Sequence, residues 1–223
     1  MNLAHACQGE GLQALEQGNV HPTGGRITNM DLTAATVASA AADYPDVQPL
    51  SAVEEDHVEM LPGMFESGEF GRRDPEWVVQ WYFRRFLGAY PDEKRRVAED
   101  AYAENTYEDV LDAIGGAREA GDARAKLGCL TALEGVDVSV GSAFLQFLHP
   151  DRYLVCSERE WETLRAAGKI DAAYPDPPSV DDYETYLATC QSVADRCDCS
   201  LLTLYRALWT IGHRRADGAT RTG

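Results

Sequence analysis

The sequence predicts an all-helical protein with a single domain over residues 30–212. Apolar residues recur at helical spacing, capping patterns precede several apolar runs, and no segment alternates convincingly between apolar and polar residues. A chain of 223 residues is long enough to bury one sizeable core. Residues 1–29 are rich in glycine and lack a clear period, so we expect poor order there, and we expect a flexible tail over residues 213–223.

The most apolar predicted helix spans 75–87. Asp74 is a suitable N-cap, Pro75 fits the first helical position, and Gly88 suits the end. Because apolar residues cover nearly every side of this helix, we expect it to form the buried centre of the domain.

The remaining elements follow from capping patterns and apolar periodicity. Thr106 with Asp109, and Ser179 with Asp182, have the spacing of capping boxes. A Tyr-Pro-Asp-x-x-Pro break is expected over 44–49, and no helix is assigned to the acidic stretch and the Leu-Pro-Gly sequence that follow it. An extended loop is expected over 174–178. The other predicted helices span 34–43, 92–103, 106 to about 115, 122–133, 157–167, a long segment from 179, and 201–211.

The strongest compositional signal is a net charge of −17. An acidic, lysine-poor surface is typical of adaptation to high salt, where charge repulsion is screened. This charge counts against casual nucleic-acid binding. The chain contains no long apolar run and no basic region followed by an apolar core at its start, so we expect no membrane segment, no signal peptide and a cytoplasmic location. Six dispersed cysteines fit no zinc pattern, and we expect no metal and no cofactor.

One segment of the chain is basic. Residues 72–96 contain seven arginines and lysines against four acids. Arginine-rich segments favour phosphate contact, so Arg72, Arg73 and Arg84 are candidate DNA-binding residues. Arg85 lies on the apolar helix, and we expect it to pair internally with an acid such as Glu99 or Glu104.

A helix–turn–helix pattern lies within residues 127–164. Leu133 is the last apolar residue of the first helix, Gly135 permits a tight turn, and Val136 fills the space between the helices. The small residues 141–143 allow the helices to approach closely. After the second helix, His-Pro and an extended stretch over 151–155 lead into a new helix.

This pattern resembles the core of the helix-hairpin-helix base-excision DNA glycosylase superfamily, in a divergent haloarchaeal-type member. The resemblance covers half the chain at best, from Asp74 onward, and implies a glycosylase-like helical bundle. It also implies that backbone N–H groups at the turn and at the second helix's start bind a DNA phosphate. The candidate DNA-binding residues of the hairpin are Gly135, Val136, Asp137 and Ser139.

Three positions depart from the family's pattern. Ser139 stands where bifunctional members have a lysine, which excludes Schiff-base lyase chemistry but leaves base excision open. Asp137 replaces the second hairpin glycine and would repel a phosphate. The family's catalytic aspartate falls at or near Cys156, and the nearest carboxylates are Glu158 and Glu160. We take Glu158 and Cys156 as the candidate catalytic residues.

Structural alternatives stand beside these roles. The hairpin can be a purely structural turn. Cys156 can be a nucleophile with His149 as its base, or simply a buried thiol. Four aromatic residues can stack on an extruded base or belong to the core, namely Trp77, Trp81, Tyr82 and Phe83.

We therefore expect a DNA-interacting protein with a glycosylase-like fold, connected with DNA repair but without standard catalysis. If it is an enzyme, it is a monofunctional DNA N-glycosylase. The alternatives are a helical interaction or scaffold protein that does not bind DNA, and an acidic inhibitor that mimics DNA.

Overall fold

The computed structural model describes residues 30–220, and the expectations for residues 1–29 and 221–223 lie outside this range. Within it the chain is helical and contains no strand, which confirms the predicted all-helical class. The helices of the described range are α1 (Ala34–Ala42), α2 (Tyr44–Val47), α3 (Ser51–Ser67), α4 (Arg73–Arg84), α5 (Asp92–Ala103), α6 (Tyr107–Glu119), α7 (Ala123–Leu130), α8 (Val138–Leu148), α9 (Glu158–Ala166), α10 (Val180–Cys197) and α11 (Leu201–Thr220).

Helix α8 is the most deeply buried element of the bundle. Every side chain from Ser139 to Leu148 is buried, since apolar and small residues occupy all sides of the helix. It packs against α3, α4, α7 and α10. The sequence predicted that the helix over 75–87 would be the centre. That helix, α4, buries Val78, Val79 and the stretch Trp81–Phe83, while its two ends reach the surface.

Helix α3 lies in a segment to which the sequence interpretation assigned no helix, and the short helix α2 lies within the predicted break at 44–49. The buried positions of α3, Glu54, Leu61 and Phe65, share one face, and the acids between them point to solvent. Pro62 lies inside the helix, although proline usually disfavours a helix interior. Helix α3 was missed because one buried position holds an acid, so the apolar period was hidden.

Several predicted helix boundaries also change. The N-cap of α4 is Arg72, not Asp74, whose carboxylate instead accepts the N–H of Gly71 at 2.7 Å. Helix α6 continues past the expected stop to Glu119. Gly116 lies where α6 packs on α7, and a Cβ at this position would lie 3.0 Å from Cys129 Sγ. The glycine therefore allows the two helices to pack closely instead of ending α6. Helix α11 continues to Thr220, beyond the predicted end at residue 211 and through the expected tail.

Helices α4 and α7 end earlier than predicted, at Arg84 and Leu130 rather than at residues 87 and 133, so Leu133 follows the first helix of the hairpin instead of ending it. Other predictions of local structure agree with the sequence. Helix α5 has the predicted bounds, and both capping boxes are formed, with reciprocal bonds between Thr106 and Asp109 and between Ser179 and Asp182. None of the helices in the described range is both long and apolar enough to cross a membrane.

Candidate functional site

The hairpin turn between α7 and α8 is fixed against its neighbours. Gly135 has φ +76°, and a Cβ at this position would lie 2.3 Å from the carbonyl oxygen of Ala98 and 2.7 Å from the nitrogen of Tyr102. Val136 is buried, in the position that the sequence predicted. The glycine is therefore required both by the turn and by the close approach of α5.

The loop before α6 fastens the same turn from outside. The side chain of Asn105 accepts the N–H of Glu134 at 2.9 Å and donates to its carbonyl oxygen at 3.0 Å. This pair of bonds satisfies backbone groups that would otherwise face a ligand or water. The outer side of the turn is thus a packing contact within the protein.

The start of α8 is capped by its own chain. Asp137 is the N-cap, and its Oδ1 accepts the N–H of Val140 at 2.8 Å. In the resemblance this helix start receives a DNA phosphate. Here a carboxylate already neutralises part of the helix dipole, so a phosphate would meet a negative charge.

Residue Cys156 lies in the core. It is fully buried, its N–H donates to Ser142 Oγ at 2.8 Å, and burial raises the pKa of its thiol well above the usual value. The proposed base His149 lies instead 3.2 Å from Lys126 Nζ, and burial and that lysine lower its pKa. Nothing in this arrangement activates the thiol, and it fits a buried structural cysteine.

A cavity of about 180 Å³ separates the start of α8 from the start of α9. We call it the hairpin cavity. Aromatic side chains form much of its wall, and the remainder is polar. Its lining residues are Tyr82, Phe86, Tyr90, Pro91, Lys94, Asp137, Ser139, Ser157, Glu158, Tyr174 and Asp176.

The structure brings three of the predicted site residues together in this cavity: Asp137, Ser139 and Glu158. The hydroxyl of Ser139 lies 2.9 Å from the hydroxyl of Tyr174, so no amine occupies the lysine position of the family. Glu158 is the exposed first residue of α9. Cys156, two residues earlier, does not line the cavity.

Charge at the hairpin cavity is predominantly negative. Asp137, Glu158 and Asp176 line it together with a single cation, Lys94, whose Nζ lies 3.5 Å from Asp176 with both side chains largely exposed. Such an exposed pair is weak. Aromatic rings and carboxylates together attract a flat ligand that is neutral or positively charged, and they disfavour an anion.

A buried ion pair lies behind the hairpin cavity. Ser157, which lines the cavity, donates its hydroxyl hydrogen to Glu160. Glu160 Oε1 accepts from Arg85 Nη1 at 2.7 Å, and both side chains are fully buried. The predicted internal pairing of Arg85 is confirmed, but the predicted partners Glu99 and Glu104 were wrong, because the fold brings α9 to α4.

The predicted DNA-contacting arginines do not line the hairpin cavity. Arg72 donates through Nη2 to the carbonyl oxygens of Ala103 and Asn105 at 2.8 and 2.9 Å, where it binds the end of α5. Arg73 and Arg84 are exposed on α4. Arg73 and Arg84 are therefore available to a surface ligand rather than to a ligand inside the cavity, whereas Arg72 is engaged within the protein.

Of the four aromatic residues that the sequence singled out, only Tyr82 lines the hairpin cavity. Trp81 and Phe83 are buried in the core, and Trp77 stacks on His57. The sequence interpretation missed the other aromatic residues of the wall. Tyr90 and Tyr174 follow Gly88 and Gly168, both of which have positive φ. An aromatic residue soon after a helix-ending glycine is the signal that was available for both.

Comparisons with family models, with curated proteins and with solved structures found no match. Among residues 30–220, no group of three or more histidine, cysteine, aspartate or glutamate side chains is placed to hold a metal ion.

Proposed function

We propose that this protein binds DNA by taking an unpaired or extruded nucleobase into the hairpin cavity, and that it does so without excising the base. The proposal includes a helix-hairpin-helix glycosylase-like fold and a cytoplasmic location. The observation that supports it most directly is the cavity itself, which lies between the hairpin and Glu158 and has several aromatic residues in its wall. Base-flipping proteins hold an extruded base between such side chains.

The charge of the hairpin cavity favours one class of base. Stacking on Tyr90 and Tyr174 suits any base, whereas the carboxylates of Asp137 and Glu158 favour a base with a positive charge. An N-alkylated purine is such a base. We therefore propose a preference for N-alkylated over unmodified purines.

The absence of excision is supported by the chemical groups at the family's reactive positions. Ser139 hydrogen-bonds to Tyr174, the Cys156 thiol is buried, and the remaining cavity carboxylate near the start of α9 is the exposed Glu158. Solvent screens a carboxylate in free contact with water, so the charge of Glu158 biases binding toward a cationic base but falls far short of what a desolvated carboxylate supplies to a cationic transition state.

Fluorescence anisotropy tests the binding. Labelled duplexes with a bulged 7-methylguanine, a bulged guanine or no bulge are titrated at several salt concentrations up to the molar range, since salt decides how much phosphate contact contributes. We expect the duplex with the bulged 7-methylguanine to bind most tightly, the duplex with the bulged guanine less tightly, and the fully paired duplex most weakly. In Tyr90→Ala the bulged duplexes bind about tenfold more weakly, as for the loss of one stacking platform.

The matched control is Tyr107→Ala, which removes a tyrosine from α6 that does not line the hairpin cavity. Equal affinity for bulged and paired duplexes would refute base capture. An equal loss of affinity in Tyr90→Ala and Tyr107→Ala would refute it as well. Alkali treatment after incubation tests excision. No strand cleavage above that of a protein-free control is expected, and additional cleavage that disappears in Glu158→Gln would instead identify a monofunctional glycosylase.

A second candidate function is a protein-interaction module without DNA binding. The observation that favours it is a wide apolar groove between α5 and the hairpin, in which Val97 is 65% exposed beside Ala98 and Val136. Exposed apolar surface of this kind is typical of interaction sites. Failure of every duplex to bind at any salt concentration would leave this candidate as the better one.

A further inference from the structure

A second cavity opens beside the hairpin cavity. It has a volume of about 300 Å³ and lies between α9 and α11. We call it the arginine cavity, because Arg159 and Arg215 both line it. Phe86 and Glu158 belong to the walls of both cavities, so the two cavities are neighbours that share these side chains.

The guanidinium group of Arg159 lacks a bond that a buried donor normally makes. Its Nη1 is buried and has no hydrogen-bond partner among the described residues. Its central carbon lies 5.4 Å from the ring centroid of Phe86 and 4.8 Å from that of Trp209, which orient the group without satisfying its N–H donors. Burial lowers the pKa of Arg159. A buried donor without an acceptor is costly, so an acceptor placed beside the Arg159 guanidinium would be favourable.

Helix α11 provides the space in which the Arg159 side chain lies. At Gly212, in the interior of this helix, a Cβ would lie 2.6 Å from Arg159 Cγ and 2.7 Å from Thr163 Oγ1. Glycine disfavours helices, so its presence here needs a local reason. The reason in this structure is the close approach of α9, which brings both Arg159 and Thr163 against the glycine.

The acids around the arginine cavity leave Arg159 without a close partner. Glu162 accepts the N–H of Tyr174 at 3.0 Å through one carboxylate oxygen and Arg165 at 2.7 Å through the other. Glu158 is exposed and forms no ion pair within 4.0 Å in the described residues. Since Arg159 and Arg215 face the same space, this cavity suits an anion better than the hairpin cavity does.

We propose that the arginine cavity binds a phosphate group of the nucleotide whose base occupies the hairpin cavity. The inference rests on the proposed function for its physiological ligand. The two cavities then divide one nucleotide by charge: carboxylates and aromatic rings face the base, and guanidinium groups face the phosphate. Guanidinium groups suit phosphate because their planar N–H donors match two of its oxygens.

Isothermal titration calorimetry with three probes tests this proposal: 7-methylguanosine, 7-methylguanosine 5′-monophosphate and inorganic phosphate. The wild-type protein is expected to bind the monophosphate about tenfold or more tightly than the nucleoside, because one hydrogen bond to a charged group changes affinity by about that factor. Arg159→Met removes this advantage and leaves the affinity for the nucleoside unchanged. The methionine retains a long apolar side chain against Phe86 and Trp209.

The matched control is Arg196→Met, which removes an exposed arginine on α10 that lines neither cavity. It should change neither affinity. Arg215→Met alters an exposed position and provides the same test if Arg159→Met fails to fold, which thermal unfolding reports.

The outcomes separate this proposal from the proposed function. A nucleoside that binds without any gain from its phosphate overturns the phosphate site and leaves base capture standing. Inorganic phosphate that binds in an Arg159-dependent manner, with no binding of the nucleoside, supports the site and overturns base capture. A phosphate advantage that persists in both arginine variants overturns the site, and no binding of any probe overturns both.

Discussion

Two buried carboxylates in this protein have contrasting surroundings. Glu160 on α9 and Glu54 on α3 are both fully buried. Glu160 Oε1 lies 2.7 Å from Arg85 Nη1, within a hydrogen-bonded ion pair. Glu54 Oε1 accepts no hydrogen bond among the described residues, and Arg206 Nε lies 3.7 Å away. Glu54 Oε2 accepts from the hydroxyl of Tyr44 at 2.6 Å.

The contrast shows that geometry, rather than burial, decides what a buried acid does. Burial raises the pKa of Glu54 to about 7, against the opposing effects of Tyr44 and Arg206. Glu160 instead has its charge compensated at hydrogen-bond distance and helps to hold the wall of the hairpin cavity through Ser157. The same substitution at the two sites should therefore have opposite effects.

The largest effect is expected for Glu160→Gln. This change leaves the Arg85 guanidinium buried without a counter-charge, and breaking a buried ion pair in this way costs about 3–5 kcal/mol. Urea denaturation at pH 7.5 measures the free energy of unfolding. The double variant Arg85→Met/Glu160→Gln should recover part of the loss, since it also removes the orphaned charge. A double variant less stable than Glu160→Gln would contradict this explanation.

At Glu54 the same change, Glu54→Gln, should stabilise the protein above neutral pH. The folded-state pKa of about 7 lies above the ordinary glutamate value of 4.5, so the folded protein holds this proton more tightly than the unfolded chain. The resulting stability is fully present below pH 4.5 and is lost as pH rises through 7. Glutamine has no proton to lose. The stability of the variant relative to wild type should rise by about 2 kcal/mol between pH 5.5 and 8.

Denaturation at a series of pH values measures this difference. Glu59→Gln is the matched control, because Glu59 is an exposed acid on the same helix. Its stability relative to wild type should change little with pH. If the difference between Glu54→Gln and wild type stays constant from pH 5.5 to 8, then Glu54 is already charged across this range and the contrast with Glu160 fails.

Local patterns in the sequence predicted the local parts of this fold. The Thr106 and Ser179 capping boxes, the bounds of α5 and the turn at Gly135 depend on residues a few positions apart, and the structure confirms them. Helix α3 was missed because the buried position Glu54 is acidic. The burial of Glu54 depends on partners elsewhere in the chain. Among them is Tyr205, whose hydroxyl lies 3.4 Å from Glu54 Oε2.

The candidate site was only partly predictable for the same reason. Ser139 and Glu158 lie within the hairpin segment and were named from the sequence. The Arg85–Glu160 pair joins residues 75 positions apart, and the Tyr174 hydroxyl reaches Ser139 from a loop 35 positions away. Many arginines and acids along this chain have opposite charges and could pair on that ground alone. Only the packing of α9 on the neighbouring helices selects Arg85 and Glu160 as partners.

The smallest expected effect concerns the link between the hairpin cavity and the buried pair. Ser157→Ala removes the hydroxyl that donates to Glu160 Oε2, while Arg85 Nη2 remains 3.4 Å from the same oxygen. We expect a loss of about 1.5 kcal/mol in the free energy of unfolding, at the lower end for a hydrogen bond to a charged group. Ser192→Ala, at an exposed position on α10, should cost less than about 0.5 kcal/mol. If Ser157→Ala matches this control, the serine contributes nothing to holding Glu160. If it matches Glu160→Gln, the ion pair depends on the serine and Arg85 alone does not hold the carboxylate.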